Sequence, residues 1–295
     1  VILWGLFIPI LLSCGDSGTT GVAGDVTPGP SNGNLYESCA GLTDGTVIFH
    51  SGWTECPTAG HLCGAARART QITCQDGDEV TGIYEEPCPY QPTPGVDWVE
   101  TGSVFVGSNE ELQALSGVDV ITGDLVISGT STTVDGEIEA LSPLSELQCV
   151  GGTLHVVSQS ALQSLGGLEQ LVYLRNLVVT DNGGLSNLQG LNNLSYVAGS
   201  VMLHGSSYWV DLEEEGSSNG QLRDLTGLEN LSLVGDSFEV VGSEGLVSVS
   251  GLESLETVMG SFTLESCTLL EHIRGLSALT YVGGALTLKD NLSLT

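Results

Sequence analysis

From Gly117 to Thr295 the apolar positions recur as a phrase, with neither a helical nor a hairpin pattern sustained for long. Each copy reads Gly-Leu, two residues, Leu, two residues, Val or Leu, a glycine-bearing turn, and then a clipped apolar-x-apolar strand. Gly167-Leu168, Leu171, Leu174, Leu177 and Val179 make one copy; Gly251-Leu252, Leu255, Val258, Gly260, Phe262 and Leu264 make another. Aligned on the apolar residue before the turn, the copies fall at Ile121, Val150, Leu174, Val197, Val234, Val258 and Val282, at spacings of 29, 24, 23, 37, 24 and 24. A period of about two dozen residues marks a solenoid, because a coil of that size cannot bury its apolar face without a neighbour. The two long spacings read as insertions.

Apolar-x-apolar pairs follow at Leu125/Ile127, Leu154/Val156, Leu177/Val179, Val201/Leu203, Phe238/Val240, Phe262/Leu264 and Leu286/Leu288. Alternation with period two puts one pair per strand inward, so the pattern predicts one strand per coil stacked into a seven-strand parallel sheet. Leu162, Leu165, Leu168 and Leu171, echoed by Leu246, Val249, Leu252 and Leu255, supply the other walls. Gly167, Gly190, Gly227, Gly251 and Gly275 recur at one corner, where a positive φ or a close approach between coils is expected. Ahead of the repeats, Val104–Val106 reads as a short strand. Ser108-Asn-Glu-Glu111 reads as a capping box for a helix with Leu112 and Leu115 on its apolar face.

These phrases resemble the receptor L domain, on Val120-Ile-Thr-Gly-Asp-Leu-Val-Ile127, on Leu144-x-x-Leu147-x-x-Val150-Gly-Gly-x-Leu154 and on the repeated GLxxLxxV. The resemblance covers residues 98–295 and implies a right-handed parallel β-solenoid with a one-sided ligand-binding or adhesive sheet. The chain departs from that family in lacking a kinase, a transmembrane helix and a cysteine pair closing the solenoid ends, so receptor signalling is not carried over. A bacterial leucine-rich repeat stands close behind. Its LxxLxLxxN phrase asks for an asparagine ladder, and the positions taken as equivalent hold Ser158, Asp181 and Ser266.

The first third of the chain follows other rules. Val1–Leu12 is an apolar run, shorter than the ~20 residues a spanning helix needs, and fits a signal-peptide core. Leu11-Leu12-Ser13-Cys14-Gly15 resembles a bacterial lipobox; that implies acylation of Cys14, export, and an outer-membrane destination, Gly15 standing where aspartate would favour retention. An ordinary secretory signal is the alternative. Residues 15–34, rich in Gly, Ser, Thr, Pro and Asn, have almost nothing to bury and read as a flexible tether. Residues 35–94 carry Cys39, Cys56, Cys63, Cys74 and Cys88, an expected disulfide module in an exported chain too small there for its own core. Trp53, Cys56, Cys63-Gly64, Arg67, Arg69, Cys74 and Glu86-Pro87-Cys88-Pro89 resemble a thrombospondin type 1 repeat, which implies tryptophan–arginine stacking on a thin three-stranded sheet. A generic small disulfide knot is the other reading. No CxxC pair recommends zinc, and no metal or cofactor is expected.

Charge excludes one class of partner. With 36 acidic against 6 basic residues and a formal charge of −30, the chain repels nucleic acid. The first residue is Val1, and Thr295 falls inside a repeat, so the sequence reads as part of a longer reading frame, with the solenoid cut at its C-terminal end.

The 37-residue spacing holds the candidate site: Tyr208 and Trp209 beside Asp211, Glu213, Glu214 and Glu215, aromatics and carboxylates suited to a protein or glycan ligand. A solvated acidic loop with Trp209 folded back is the competing reading. Gly216-Ser-Ser-Asn-Gly220 spells GxSxG but lacks the preceding hydrophobic strand that makes a nucleophile elbow, and no catalytic residue is assigned. The five histidines match no metal-ligand spacing. His155 and His204 follow inward residues on their strands and are expected to face solvent, which makes His155 a further ligand-binding candidate. Cys149 and Cys267 read as small buried residues with free thiols. The sequons at Asn193, Asn230 and Asn291 fall out of the repeat phrase and carry no functional weight. The expected function is a non-enzymatic, lipid-anchored surface protein binding a protein or polysaccharide; the alternatives are an envelope spacer without specific ligand and the N-terminal binding domain of a larger enzyme.

Overall fold

The computed structural model describes residues 47–50, 66–75, 78–87, 98–129, 137–205 and 219–295. Val47–His50 (β1), Ala66–Gln75 (β2) and Asp78–Pro87 (β3) form a three-stranded antiparallel sheet in that order, β2 and β3 pairing as a hairpin from Ala66↔Pro87 to Gln75↔Asp78. Cys14, Cys39, Cys56, Cys63, Cys88 and the expected tether lie outside the described residues, and Cys74 is described only as backbone in β2.

From Trp98 onward the described residues form a parallel β-solenoid of about 7 turns with almost no helix among them. Its strands are Val99–Glu100 (β4), Val104–Val106 (β5), Val120–Ile121 (β6), Leu125–Ser128 (β7), Cys149–Val157 (β8), Tyr173–Thr180 (β9), Tyr196–Val197 (β10), Val201–His204 (β11), Leu233–Val234 (β12), Phe238–Val241 (β13), Thr257–Val258 (β14), Phe262–Glu265 (β15), Tyr281–Val282 (β16) and Leu286–Lys289 (β17). They stack into two parallel ladders that meet at the glycine turn. The short ladder runs β4-β6-β8-β9-β10-β12-β14-β16 and the long one β5-β7-β8-β9-β11-β13-β15-β17, with β8 and β9 passing through the corner and serving both.

Two features exceed the one-strand-per-coil expectation. The residue before each turn, from Ile121 to Val282, has its own rung, because the backbone groups there need partners as much as those of the longer strand do. Val104–Val106 is also an eighth rung of the long ladder, pairing in parallel with Leu125–Ile127. The expected helix is Asn109–Gln113 (α1). The Ser108 side chain accepts from the Glu111 N–H at 3.2 Å, the first half of a capping box, while the Glu111 carboxylate reaches one residue past the cap and accepts from the Gly107 N–H at 2.7 Å.

Inward residues of both ladders and the spacing-three leucines form one continuous core in which Leu154, Leu165, Leu177, Leu188, Leu228 and Val258 are fully buried. Each such side chain contributes roughly 1.5–3 kcal/mol of burial. Phe238 and Phe262, register partners on β13 and β15, stack with ring centroids 5.3 Å apart and planes 8° from parallel.

The recurring glycines sit where two constraints meet. Gly227 has φ +115°, and a Cβ there would lie 2.1 Å from the Leu188 carbonyl oxygen of the preceding coil. Its N–H donates to both carboxylate oxygens of Glu229 at 3.0 Å, and Glu169, Asn192 and Glu253 take the corresponding N–H in other coils. Gly275 has no such φ and is required by close approach alone, its Cβ position lying 2.2 Å from the Val249 carbonyl oxygen.

A buried polar ladder is present, one residue later than Ser158, Asp181 and Ser266. Ser158, Asp181, Ser266 and Asp290 turn the chain with φ of 55° to 57°. The next residue points inward. Asn182 accepts from the Gln159 N–H at 3.0 Å and donates to the Val156 and Thr180 carbonyls at 2.9 Å each. Asn219 accepts from the Asn182 N–H and donates to the Val179 and His204 carbonyls. Asn291 repeats the arrangement with the Cys267 N–H and the Leu264 carbonyl. Cys267 fills the same place, its thiol directed at the Glu265 and Val240 carbonyls at 3.6 and 4.0 Å. The phrase LxVxxN is therefore kept at Leu177–Asn182, and FxLxxC replaces it at Phe262–Cys267.

Candidate binding surface

Strand alternation on the long ladder leaves two outward rows. The first runs Phe105, Val126, His155, Val178, Met202, Glu239, Thr263, Thr287, and the second Ser128, Val157, Thr180, His204, Val241, Glu265, Lys289. The outer face thus changes along the solenoid. The first row is apolar apart from His155 over its first five rungs and polar over the last three, while the second row mixes apolar and polar residues throughout. Phe105 is 71% exposed, while Val126, Val178 and Met202 are half-buried by their neighbours on adjacent rungs. Farther along, Lys289 pairs with Glu265 on the neighbouring rung and lies 3.7 Å from Asp290. Those partners raise the lysine pKa.

The imidazoles differ from expectation. His155 is on the outward row as read from the sequence, but half-buried, with Nε2 3.2 Å from the Thr180 hydroxyl. His204 was expected in solvent and is 1% exposed. Alternation determines that its side chain leaves the coil, not what lies over it. Its Nε2 is 3.4 Å from the Glu239 carboxylate. Burial lowers the pKa of both rings, and at His204 the Glu239 charge and hydrogen bond push partly the other way. Next to them, burial raises the pKa of Asp181.

The large insertion leaves the solenoid at Gly205, directly after His204, and the described chain resumes at Asn219 in the polar ladder. Tyr208, Trp209, Asp211, Glu213, Glu214 and Glu215 lie outside the described residues, so their place relative to His155 rests on the sequence alone. On another side of the coils, Glu139, Ser160, Gln163, Ser164, Ser186 and Gln221 line an open polar groove of about 730 Å³.

Two cysteine readings part company. Cys267 is a free, buried thiol whose pKa burial pushes up to about 11. Cys149, expected to be free, is disulfide-bonded. All three sequon asparagines hold one coil to the previous one, Asn291 through the polar ladder and the other two outside it. Asn193 donates to the Glu169 carbonyl and Asn230 to the Asn192 carbonyl, each at 2.6 Å. Among the described residues no group of three or more His, Cys, Asp or Glu side chains is placed to hold a metal ion, and no helix is long and apolar enough to cross a membrane.

No family model, curated protein or solved structure matches this chain. Its fold is read from its own strand pairing, and its function from its own surface.

Proposed function

We propose that this is a non-enzymatic, exported surface protein that binds a protein or polysaccharide ligand across the outer face of its long ladder. The observation that carries the reading is the row Phe105, Val126, His155, Val178 and Met202, apolar and ring side chains turned away from a core that is complete without them. Outward apolar patches on a sheet are a common basis for recognition. The insertion departs directly after His204, on the second row of the same face, and on that ground the Tyr208–Glu215 aromatics and carboxylates are counted in the proposed site from the sequence alone.

The receptor L-domain resemblance and the kept leucine-rich phrase LxVxxN support the same reading, since both belong to solenoids that present a sheet to a ligand. In this proposal the thrombospondin-like segment and residues 15–34 hold the solenoid clear of a bacterial outer membrane, to which acylated Cys14 anchors the chain.

Binding of the full chain to envelope proteins and glycans tests the ligand face. Saturable binding that weakens at least tenfold in Val178→Asp, with an unchanged melting temperature, supports it. The absence of any saturable partner favours a spacer instead. Palmitate labelling and globomycin-sensitive processing, both lost in Cys14→Ser, test the anchor.

A further inference from the structure

The short ladder carries an apolar stripe of its own on the outside of the coil. Its inward residues, Ile121, Val150, Leu174, Val197 and Val234, belong to the main core. The residues before them face the other way and form a separate cluster of Val120, Cys149, Tyr173, Tyr196 and Leu233, with Val99 and Ala198 against it. Outward residues on a bare sheet are wet, yet these are between 0% and 6% exposed, and Thr257 on the next rung is 6% exposed. The stripe opens to partial exposure at its two ends, at Val99 on the first rung and at Tyr281 on the last. Tyr173, Tyr196 and Thr257 each have an interaction partner. Among the described residues, the hydrophobic neighbours of this cluster are the partly buried Val99 and Ala198.

Cysteine parity identifies the cover. Of eight cysteines, Cys267 is free and Cys149 is bonded, so a partner of Cys149 within the chain precedes Trp98, and with Cys14 acylated, as in the function proposed above, it falls in residues 35–94. Residues 35–94 hold five cysteines, an odd number that cannot pair internally, and Cys149 makes the sixth. The chain also arrives in the right place. Trp98 donates its N–H to Asp119 at 2.9 Å, and β4 is the first rung of this same ladder, beside Val120. The reach fits: five steps from Val120 to Thr257 span roughly 24 Å, and a ten-residue strand such as β2 or β3 is roughly 33 Å long.

We propose that the cysteine-rich segment 35–97 docks along the outer face of the short ladder, covering the stripe from Val120 to Thr257. A disulfide from Cys149 to one of Cys39, Cys56, Cys63, Cys74 or Cys88 locks it there. Two thiols become one disulfide, releasing two protons and passing two electrons to a disulfide oxidant by thiol–disulfide exchange, as in exported proteins. The docked segment seals one ladder and leaves the other as the open face.

The test starts with the full chain made in an oxidising compartment, alkylated and digested without reduction. Peptide mass spectrometry is expected to recover Cys149 joined to a peptide from 35–94. Recovery of Cys149 alkylated, or joined to a second copy of the chain, overturns the proposal. A second measurement tests the docking apart from the bond, through the rate at which dithiothreitol reduces the Cys149 linkage. Leu233→Asp, several rungs away, should speed reduction at least tenfold, while Tyr281→Asp should leave it unchanged. An unchanged rate in Leu233→Asp would mean that no segment lies along the stripe.

Discussion

The Asn182 N–H donates to the Asn219 side-chain oxygen at 2.9 Å, although 37 residues separate them where other coils need about 24. The insertion therefore enters after the strand has ended and leaves before the polar ladder resumes, so neither core nor ladder loses its period. A solenoid tolerates extra chain at such a corner because each coil's contacts are with its neighbours and not with the loop.

Asn182→Ala removes an acceptor for Gln159 and two donors for the Val156 and Thr180 carbonyls, all in the interior. Leaving those groups unpaired should cost about 2–5 kcal/mol. Urea denaturation checks this, and a loss under about 1 kcal/mol would show that water or backbone adjustment replaces the side chain.

Gly227→Ala combines an unfavourable φ of +115° with a Cβ only 2.1 Å from the Leu188 carbonyl oxygen. Gly102 has φ +92° with nothing within 4 Å of its Cβ position. The first substitution should destabilise by roughly 2–4 kcal/mol and the second by about 1 kcal/mol. Equal thermal shifts would assign the whole effect to φ and none to coil spacing.

His204 has its pKa depressed by burial, with Glu239 opposing. The unfolded chain therefore binds the proton more readily. The stability contribution of His204 is present above the unfolded pKa near 6.5 and is lost as pH falls through the folded value. His155 acts in the same direction. Unfolding free energy should drop as pH falls below about 6.5, and His204→Gln should flatten that slope. A variant with the wild-type slope would place the titration elsewhere.

Cys267 should resist alkylation at pH 8 in the folded protein and react once urea unfolds it, because burial holds its pKa at about 11 against an ordinary 9.0. The thiol's contribution to stability is intact below pH 9 and declines as pH rises toward 11. Cys267→Asn places the ladder's usual residue against the same Glu265 and Val240 carbonyls, so it should cost less than about 1 kcal/mol and abolish that alkaline loss. Rapid native-state labelling would contradict the burial.

Much of the fold was legible because a solenoid writes its interior into the chain one coil at a time. The Leu177/Val179 type of pair, the spacing-three leucines and the corner glycines each encode a position in the coil, and the pairs from Leu125/Ile127 to Phe262/Leu264 are buried as the period says, whereas Leu286 and Leu288 on the last rung are 59% and 40% exposed. Capping at Ser108 is equally local and equally readable. The polar ladder was readable too, but only with the count begun at the strand's apolar pair: Asn182 and Asn291 stand three residues after Val179 and Leu288.

What the sequence alone determined is the coil: its period, its inward residues, its turns and its charge, all properties of neighbours along the chain or one repeat away. Tertiary structure decided what covers the coil. Alternation sends His155, His204, Cys149 and Tyr196 outward alike, yet His155 is half-buried, His204 is closed off, and Cys149 and Tyr196 are buried in a second apolar cluster. Burial on an outer face depends on chain that is distant in sequence and has no period in common with the repeat. For that reason the candidate ligand face and the short-ladder stripe became visible only in three dimensions.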